Sequence, residues 1–188
     1  MSSQDAARWN QRYQNKNQKS YRLPRSFLVE NAAALPRVGW ALDAAMGLGG
    51  NAAFLLARGL QVVGLDISEV AVREAKSHLP DLLAVNTDLA HFCLPTAAFD
   101  AIINFYFLDR SLWPLYRQLL KPGGVLIIET LTEEMLTGRP DIDPTYLLKP
   151  GELYTAFQDW TVLTYREGWV DQDGWQRAVA SLVVRQSR

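Results

Sequence analysis

The chain has a single cysteine, Cys93, in 188 residues. One thiol excludes an internal disulfide and any zinc site built from several cysteines. It is the usage of a reducing compartment. The N-terminal stretch is polar and lacks the apolar core of a secretion signal, so a cytoplasmic location is expected. Histidine is nearly as scarce. His78 and His91 are the only two, and no His, Asp or Glu cluster has ligand spacing, so no metal is expected. No apolar run approaches the roughly 20 residues of a membrane span. Gly-x-Ser-x-Gly is absent, which argues against a serine hydrolase of the usual α/β kind. An excess of either charge is missing too: 19 Lys and Arg stand against 20 Asp and Glu, for a net charge of −1. No global field then steers the protein toward nucleic acid. The first forty residues do gather Arg8, Arg12, Lys16, Lys19, Arg22, Arg25 and Arg37. That cluster is too diffuse for an RNA site and reads as a solvated face or as a rim attractive to an anionic substrate. Cys93, just ahead of Pro95, is expected to be a packed core thiol.

What is present is alternation. The chain has no repeat and no linker, and its length suits one domain. Residues 5–15 are expected to form a helix, with Trp9 and Tyr13 on one face. Residues 26–35 are expected to form another, ended by Pro36. Strands follow at 40–44, 61–66, 82–86, 101–106 and 125–130, with helices at 50–58, 69–78 and 111–120 between them. That order implies βαβ units and a parallel sheet with right-handed crossovers. Two further strand-like runs, 161–167 and 177–185, flank Asp173-Gly174, a hairpin signal. The expected fold is α/β and Rossmann-like. It has a seven-stranded, mostly parallel sheet, an antiparallel C-terminal hairpin and helices on both faces. Residues 1–38 would form a helical cap and 39–188 the core of a single domain.

Inside this pattern lies Asp43-Ala44-Ala45-Met46-Gly47-Leu48-Gly49-Gly50, a glycine turn between a strand and a helix. Gly47 and Gly49 can adopt positive φ and admit a ligand close to the backbone. The helix that follows points its N-terminal N–H groups at the same spot. The next strand ends in Asp66, an acid placed to accept hydrogen bonds from ribose hydroxyls. Gly47-x-Gly49-x-x-Ala52 also satisfies the relaxed dinucleotide fingerprint, so the turn alone leaves both NAD and S-adenosylmethionine open.

The ordered set of motifs resembles the class I S-adenosylmethionine-dependent methyltransferases. The acid-glycine turn from Asp43 to Gly49 comes first. Asp66-Ile67-Ser68, Asn86-Thr87-Asp88-Leu89 and Leu120-Lys121-Pro122-Gly123-Gly124 follow in order, and the closing hairpin fits as well. Trp9-Asn10-Gln11-Arg12-Tyr13, Leu108-Asp109-Arg110 and Gly138-Arg139-Pro140 look like the small bacterial tellurite-resistance and thiopurine-type members. In those enzymes the N-terminal helix closes over the cofactor. Where most members carry a further glycine, this chain has Ala45.

The resemblance implies a role for each cofactor residue. Gly47 and Gly49 would let the methionine moiety approach. Asp43 and Asn104 would face its ammonium group. Asp66 would take the ribose hydroxyls, Ile67 would pack on the adenine, and Asp88 with Leu89 would bond its edge. S-adenosyl-L-methionine would be the cofactor and S-adenosyl-L-homocysteine the product.

The acceptor is expected to be a small, polar or anionic molecule rather than a nucleic acid. Tyr106 and Arg110 follow the fourth strand at the sheet edge where open α/β sheets bind ligands. Arg110 would grip an anion with its forked donors, and Tyr13 would cover the site. Two rival readings predict different behaviour. A non-catalytic module would bind the cofactor without turnover, and a nicotinamide enzyme would bind NAD instead.

Overall fold

A computed structural model describes residues 3–14, 19–172 and 175–187. Seven strands form one sheet in the order β3-β2-β1-β4-β5-β7-β6. Their bounds are Trp40–Ala44 (β1), Gln61–Asp66 (β2), Leu83–Asn86 (β3), Phe99–Phe105 (β4), Leu120–Leu131 (β5), Thr161–Gln172 (β6) and Trp175–Arg185 (β7). The first five pair in parallel, and β7 runs antiparallel to both β5 and β6. The turn at Asp173-Gly174 that would join β6 to β7 lies outside the described residues.

Residues on alternate sides of each strand feed two cores. One side carries Leu42, Ile102, Leu126 and Leu182 against Leu112, Tyr116 and Leu119 of helix α5 (Leu112–Leu119) and Leu153 and Phe157 of α6 (Glu152–Phe157). The other carries Ala41, Ile103 and Ile127. Against them lie Phe27 and Leu28 of α2 (Ser26–Glu30), Leu55 of α3 (Gly50–Ala57) and Ala75 of α4 (Glu69–His78). Helices therefore cover both faces, as parallel strands require.

Three expectations need correction. The 26–35 helix stops at Glu30. Asn31 turns its amide back onto the Phe27 carbonyl at 2.9 Å, and its Oδ1 accepts from Thr164 at 2.8 Å. A side chain that bonds the backbone this way competes with the helix. Strand β5 begins at Leu120, five residues before Val125. Lys121–Gly124 is a bulge within it: the register jumps from Phe99↔Leu120 to Ala101↔Val125, and Lys121 ties the bulge to Asp100 at 2.7 Å. Cys93 is exposed rather than packed, because it falls in the irregular stretch between β3 and β4. Among the described residues no helix is long and apolar enough to cross a membrane.

Candidate active site

The strand order reverses between β1 and β4, and ligands of open α/β sheets bind outside the carboxyl ends of the strands at such a point. Strand β1 ends there at Ala44, opposite Asn104 of β4. The chain leaves β1 through Ala45, whose φ of 59° is left-handed. An alanine in that region is strained by about 1–2 kcal/mol. Ala45 thus joins Gly47 and Gly49 as a position of this turn whose backbone conformation favours glycine. Ala45→Gly is expected to raise stability by about 1 kcal/mol, less the added freedom of the unfolded chain. Urea unfolding checks it, and a lower midpoint would refute the strain.

The turn is fastened from below. Asp66 is buried at the end of β2. Its Oδ2 accepts the Gly47 N–H at 2.8 Å and its Oδ1 the Ser68 N–H at 2.8 Å. Burial pushes its carboxyl up, and the two backbone N–H groups oppose that. Gly49 also serves the packing beneath the turn. A Cβ there would stand 3.1 Å from Ala75 and Leu79, so its bareness lets α3 pack against α4. Gly47 does face the site, and a Cβ on it would stand 2.9 Å from the Tyr13 hydroxyl.

Tyr13 belongs to helix α1 (Ser3–Gln14), which lies over the turn. Trp9 stacks on Tyr13 with centroids 5.5 Å apart. Asn10 anchors the helix by accepting from the Ser68 hydroxyl at 2.7 Å and the Val70 N–H at 3.2 Å, at the start of α4. Burial raises the Tyr13 phenol, and the neighbouring Asp66 charge adds to that.

Beneath α1 is a narrow cavity of about 80 Å³. Tyr13, Gly47, Asp66, Ile67, Leu89 and Tyr106 meet there, with Trp9, Arg25 and Phe107 among its other walls. It is smaller than the roughly 300–1,000 Å³ of ordinary ligand pockets, because Trp9 and Tyr13 reach into it. Asp43 and Asn104 are buried near the ends of β1 and β4. Each keeps one buried oxygen, Oδ2 and Oδ1 respectively, without a hydrogen-bond partner. Such atoms are costly unless satisfied. Burial lifts the Asp43 carboxyl to about 8. The Asp66 charge adds to this, while the Ala52 N–H and Arg25 pull it back. Asp88 stands apart at the rim, where Oδ1 accepts the Ala90 N–H at 3.0 Å.

A second, wider cavity of about 700 Å³ adjoins the first and shares Trp9, Tyr106 and Phe107 with it. Arg110 is on its wall, but its fork is taken. It pairs with both Glu152 oxygens and donates to the Leu147 carbonyl at 2.9 Å. Arg110 thus ties the 131–150 loop to α6 from the wall of this cavity. Four of the N-terminal cations are likewise engaged within the chain. Arg8 pairs with Asp5 and Arg22 with Glu74, while Arg12 lies over Trp9 and Arg25 over Tyr106.

The sequence reading missed Glu129. It is fully buried on β5, one strand over from Phe105, and it accepts the Tyr106 hydroxyl at 3.1 Å. Its signal was a lone acid closing the apolar run Val125-Leu126-Ile127-Ile128.

Comparison with known proteins agrees with this geometry. Residues 41–124 match a family model described as a methyltransferase domain. A probable S-adenosylmethionine-dependent methyltransferase of Mycolicibacterium smegmatis is 30% identical over 95 residues, 47% of this chain and 37% of that protein. The chain thus covers little more than a third of that relative's length. A chain from the complex of the Haloferax volcanii Trm112 methyltransferase activator with a methyltransferase superposes at a TM-score of 0.76, with 17% identity, over 100% of this chain and 98% of that one. TehB of Haemophilus influenzae superposes at 0.71 with 16% identity, over 97% of this chain and 67% of its own. The family match spans the half of the sheet that holds the turn and both acids, and the solved structures extend the likeness to the rest. Residues 41–124 thus resemble a methyltransferase domain, and the chain as a whole shares the fold of these solved structures.

Proposed function

We propose that the protein transfers a methyl group from S-adenosylmethionine to a small, polar acceptor held in the wider cavity. The observation that carries this is the shared wall. Trp9, Tyr106 and Phe107 border both the cavity over the glycine turn and the larger space beside it. A donor in the first would then face an acceptor in the second. In this reading residues 1–38 cap a single domain whose core is 39–188.

The sulfonium supplies an already activated methyl group when the cofactor is bound. The chain's task is to hold, align and keep dry. Asp66 would offer its remaining lone pairs to the ribose hydroxyls, since each carboxylate oxygen can accept twice. Asp43 and Asn104 would satisfy the ammonium with the oxygens now lacking partners. Ile67 and Leu89 would flank the adenine, with Asp88 at its amino edge. Gly47 leaves room for the methionine chain. Trp9 and Tyr13 would exclude water from above.

The acceptor we propose is a small molecule rather than nucleic acid. Four of the N-terminal cations, Arg8, Arg12, Arg22 and Arg25, are spent on Asp5, Glu74 and aromatic rings. The anionic limb of the expectation loses its main support with Arg110 bonded to Glu152. A cytoplasmic setting suits the exposed thiol of Cys93.

Calorimetric titration with S-adenosylhomocysteine, with NADH as comparison, tests the cofactor. Saturable binding of S-adenosylhomocysteine and none of NADH is expected. Binding of NADH alone would overturn the proposal.

A further inference from the structure

Tyr106 is held from every side. It sits just past the end of β4 with φ at 58°, in the left-handed region. A tyrosine stays there only when its surroundings over-determine it, and such strain gathers at functional positions. Its N–H donates to the Glu129 carbonyl at 2.8 Å. The guanidinium of Arg25 lies 4.8 Å from its ring centre and that of Arg177 5.4 Å. Its hydroxyl donates to Glu129 Oε1 at 3.1 Å.

Glu129 is anchored in turn. Its Oε2 accepts the Ser181 hydroxyl at 2.7 Å and Arg166 at 3.3 Å, and Arg166 continues to Glu30 at 3.0 Å. An ionised carboxylate only accepts, so Glu129 fixes the direction of the Tyr106 hydrogen bond. Burial, and the Glu129 charge after it, push the phenol up and keep it protonated.

A phenol has one proton to give. With that proton committed to Glu129, Tyr106 can meet a substrate only as an acceptor. We infer that the methyl acceptor is a protic nucleophile, an N–H or O–H compound, and that Tyr106 and Glu129 form the relay that removes its proton. The inference rests on the methyltransferase reading above and names the substrate class of that same site. A thiolate or oxyanion would bring only lone pairs to the Tyr106 oxygen and would be repelled.

The proton balance follows from the geometry. The acceptor loses one proton as it gains the methyl group. That proton passes to Tyr106 Oη, and the proton already on Tyr106 passes to Glu129 Oε1, so the phenol stays neutral throughout. Glu129 returns the proton through Tyr106 to water once the product has left. Tyr106 is the catalytic residue here, and Glu129 acts through it.

Two measurements test this. The first needs no cofactor. In protein labelled at the tyrosine ζ carbon, the Tyr106 resonance is assigned by its loss in Tyr106→Phe. In Glu129→Gln it is expected to move away from the phenolate direction. An unmoved resonance would overturn the relay.

The second measures methyl transfer from labelled S-adenosylmethionine to a panel of primary amines, alcohols and phenols. A parallel panel holds small thiols, selenite and tellurite. The wild type is expected to methylate members of the first panel. Glu129→Gln and Tyr106→Phe should each slow that transfer about 100-fold, and the double variant no further, as expected for two groups in one proton path. Affinity for S-adenosylhomocysteine should stay within threefold of wild type. Transfer confined to the second panel, no transfer to any protic compound, or equal loss on both panels would each overturn the inference. Absence of S-adenosylhomocysteine binding to the wild type would instead overturn the methyltransferase reading. Tyr106→Phe deletes one oxygen only and keeps the test open if Glu129→Gln fails to fold.

Discussion

Asp66→Ala is expected to bind S-adenosylhomocysteine about 1,000-fold more weakly than the wild type. Two charge-assisted hydrogen bonds to ribose hydroxyls are worth roughly 1.5–3 kcal/mol each, and every 1.4 kcal/mol is tenfold. The loss has a second source within the protein. Asp66 Oδ2 holds the Gly47 N–H and Oδ1 the Ser68 N–H. Removing the carboxylate leaves both donors buried, at about 1–3 kcal/mol each, and loosens the turn the ligand must lie against. Asp66→Asn separates the two sources. Its amide has the same shape and can still accept one of the two N–H groups, so the fold should be retained while ribose recognition is lost. Calorimetric affinity beside a thermal melt distinguishes them. A folded Asp66→Asn protein that binds within threefold of wild type would remove Asp66 from the cofactor site.

The second large effect concerns protons. Burial raises the Asp43 carboxyl from 3.8 to about 8, with the Asp66 charge adding to it. The folded chain therefore keeps a proton that the unfolded chain releases over that interval. The resulting stabilisation is fully present below pH 3.8 and is lost as pH rises through about 8. An ammonium group placed on the bare Oδ2 favours the ionised form and reverses the bias. Binding of S-adenosylhomocysteine at pH 7 is expected to release close to one proton. The release should fade above pH 9, where the carboxyl is already ionised. Titrations in buffers of different ionisation enthalpy measure it. Asp43→Asn should abolish the release and leave affinity nearly independent of pH. Equal release from wild type and Asp43→Asn would show that the proton comes from another group.

The fold was largely legible because strands buried on both faces announce themselves. Val125-Leu126-Ile127-Ile128 can hardly be anything but a central strand, and Glu69–His78 coincides with helix α4. Errors arose where a single side chain outweighs the pattern. Asn31 ends a helix that periodicity would continue, and Lys121 pins a bulge that reads as a turn. In the site, Gly47, Asp66, Ile67 and Leu89 were findable because their places relative to the strands are fixed by the connections. The duty of Gly49 was not findable, because it depends on Ala75 and Leu79 of another helix. The tie that Arg110 makes was hidden for a similar reason. Its partner Glu152 lies far along the chain, and no local spacing links them. Glu129 was hidden by the converse effect, since one polar residue at the end of an apolar run looks like the strand's exit into solvent. Its partners Tyr106, Ser181 and Arg166 come from three other segments.

The order of the strands bears on how the molecule is made. Strand β7 lies between β5 and β6, although β6 precedes it in the chain. While a ribosome is still producing residues beyond β6, β5 has β4 on one side and an open edge on the other. That edge is Val125–Leu131, five of whose seven residues are apolar, which is the sort of edge that pairs wrongly with other chains. The floor of the site is encoded by residue 131, yet Glu129 waits for Ser181 to arrive from β7. Synthesis thus leaves the buried Glu129 carboxylate to be anchored last, after the glycine turn and its acids already have their strands.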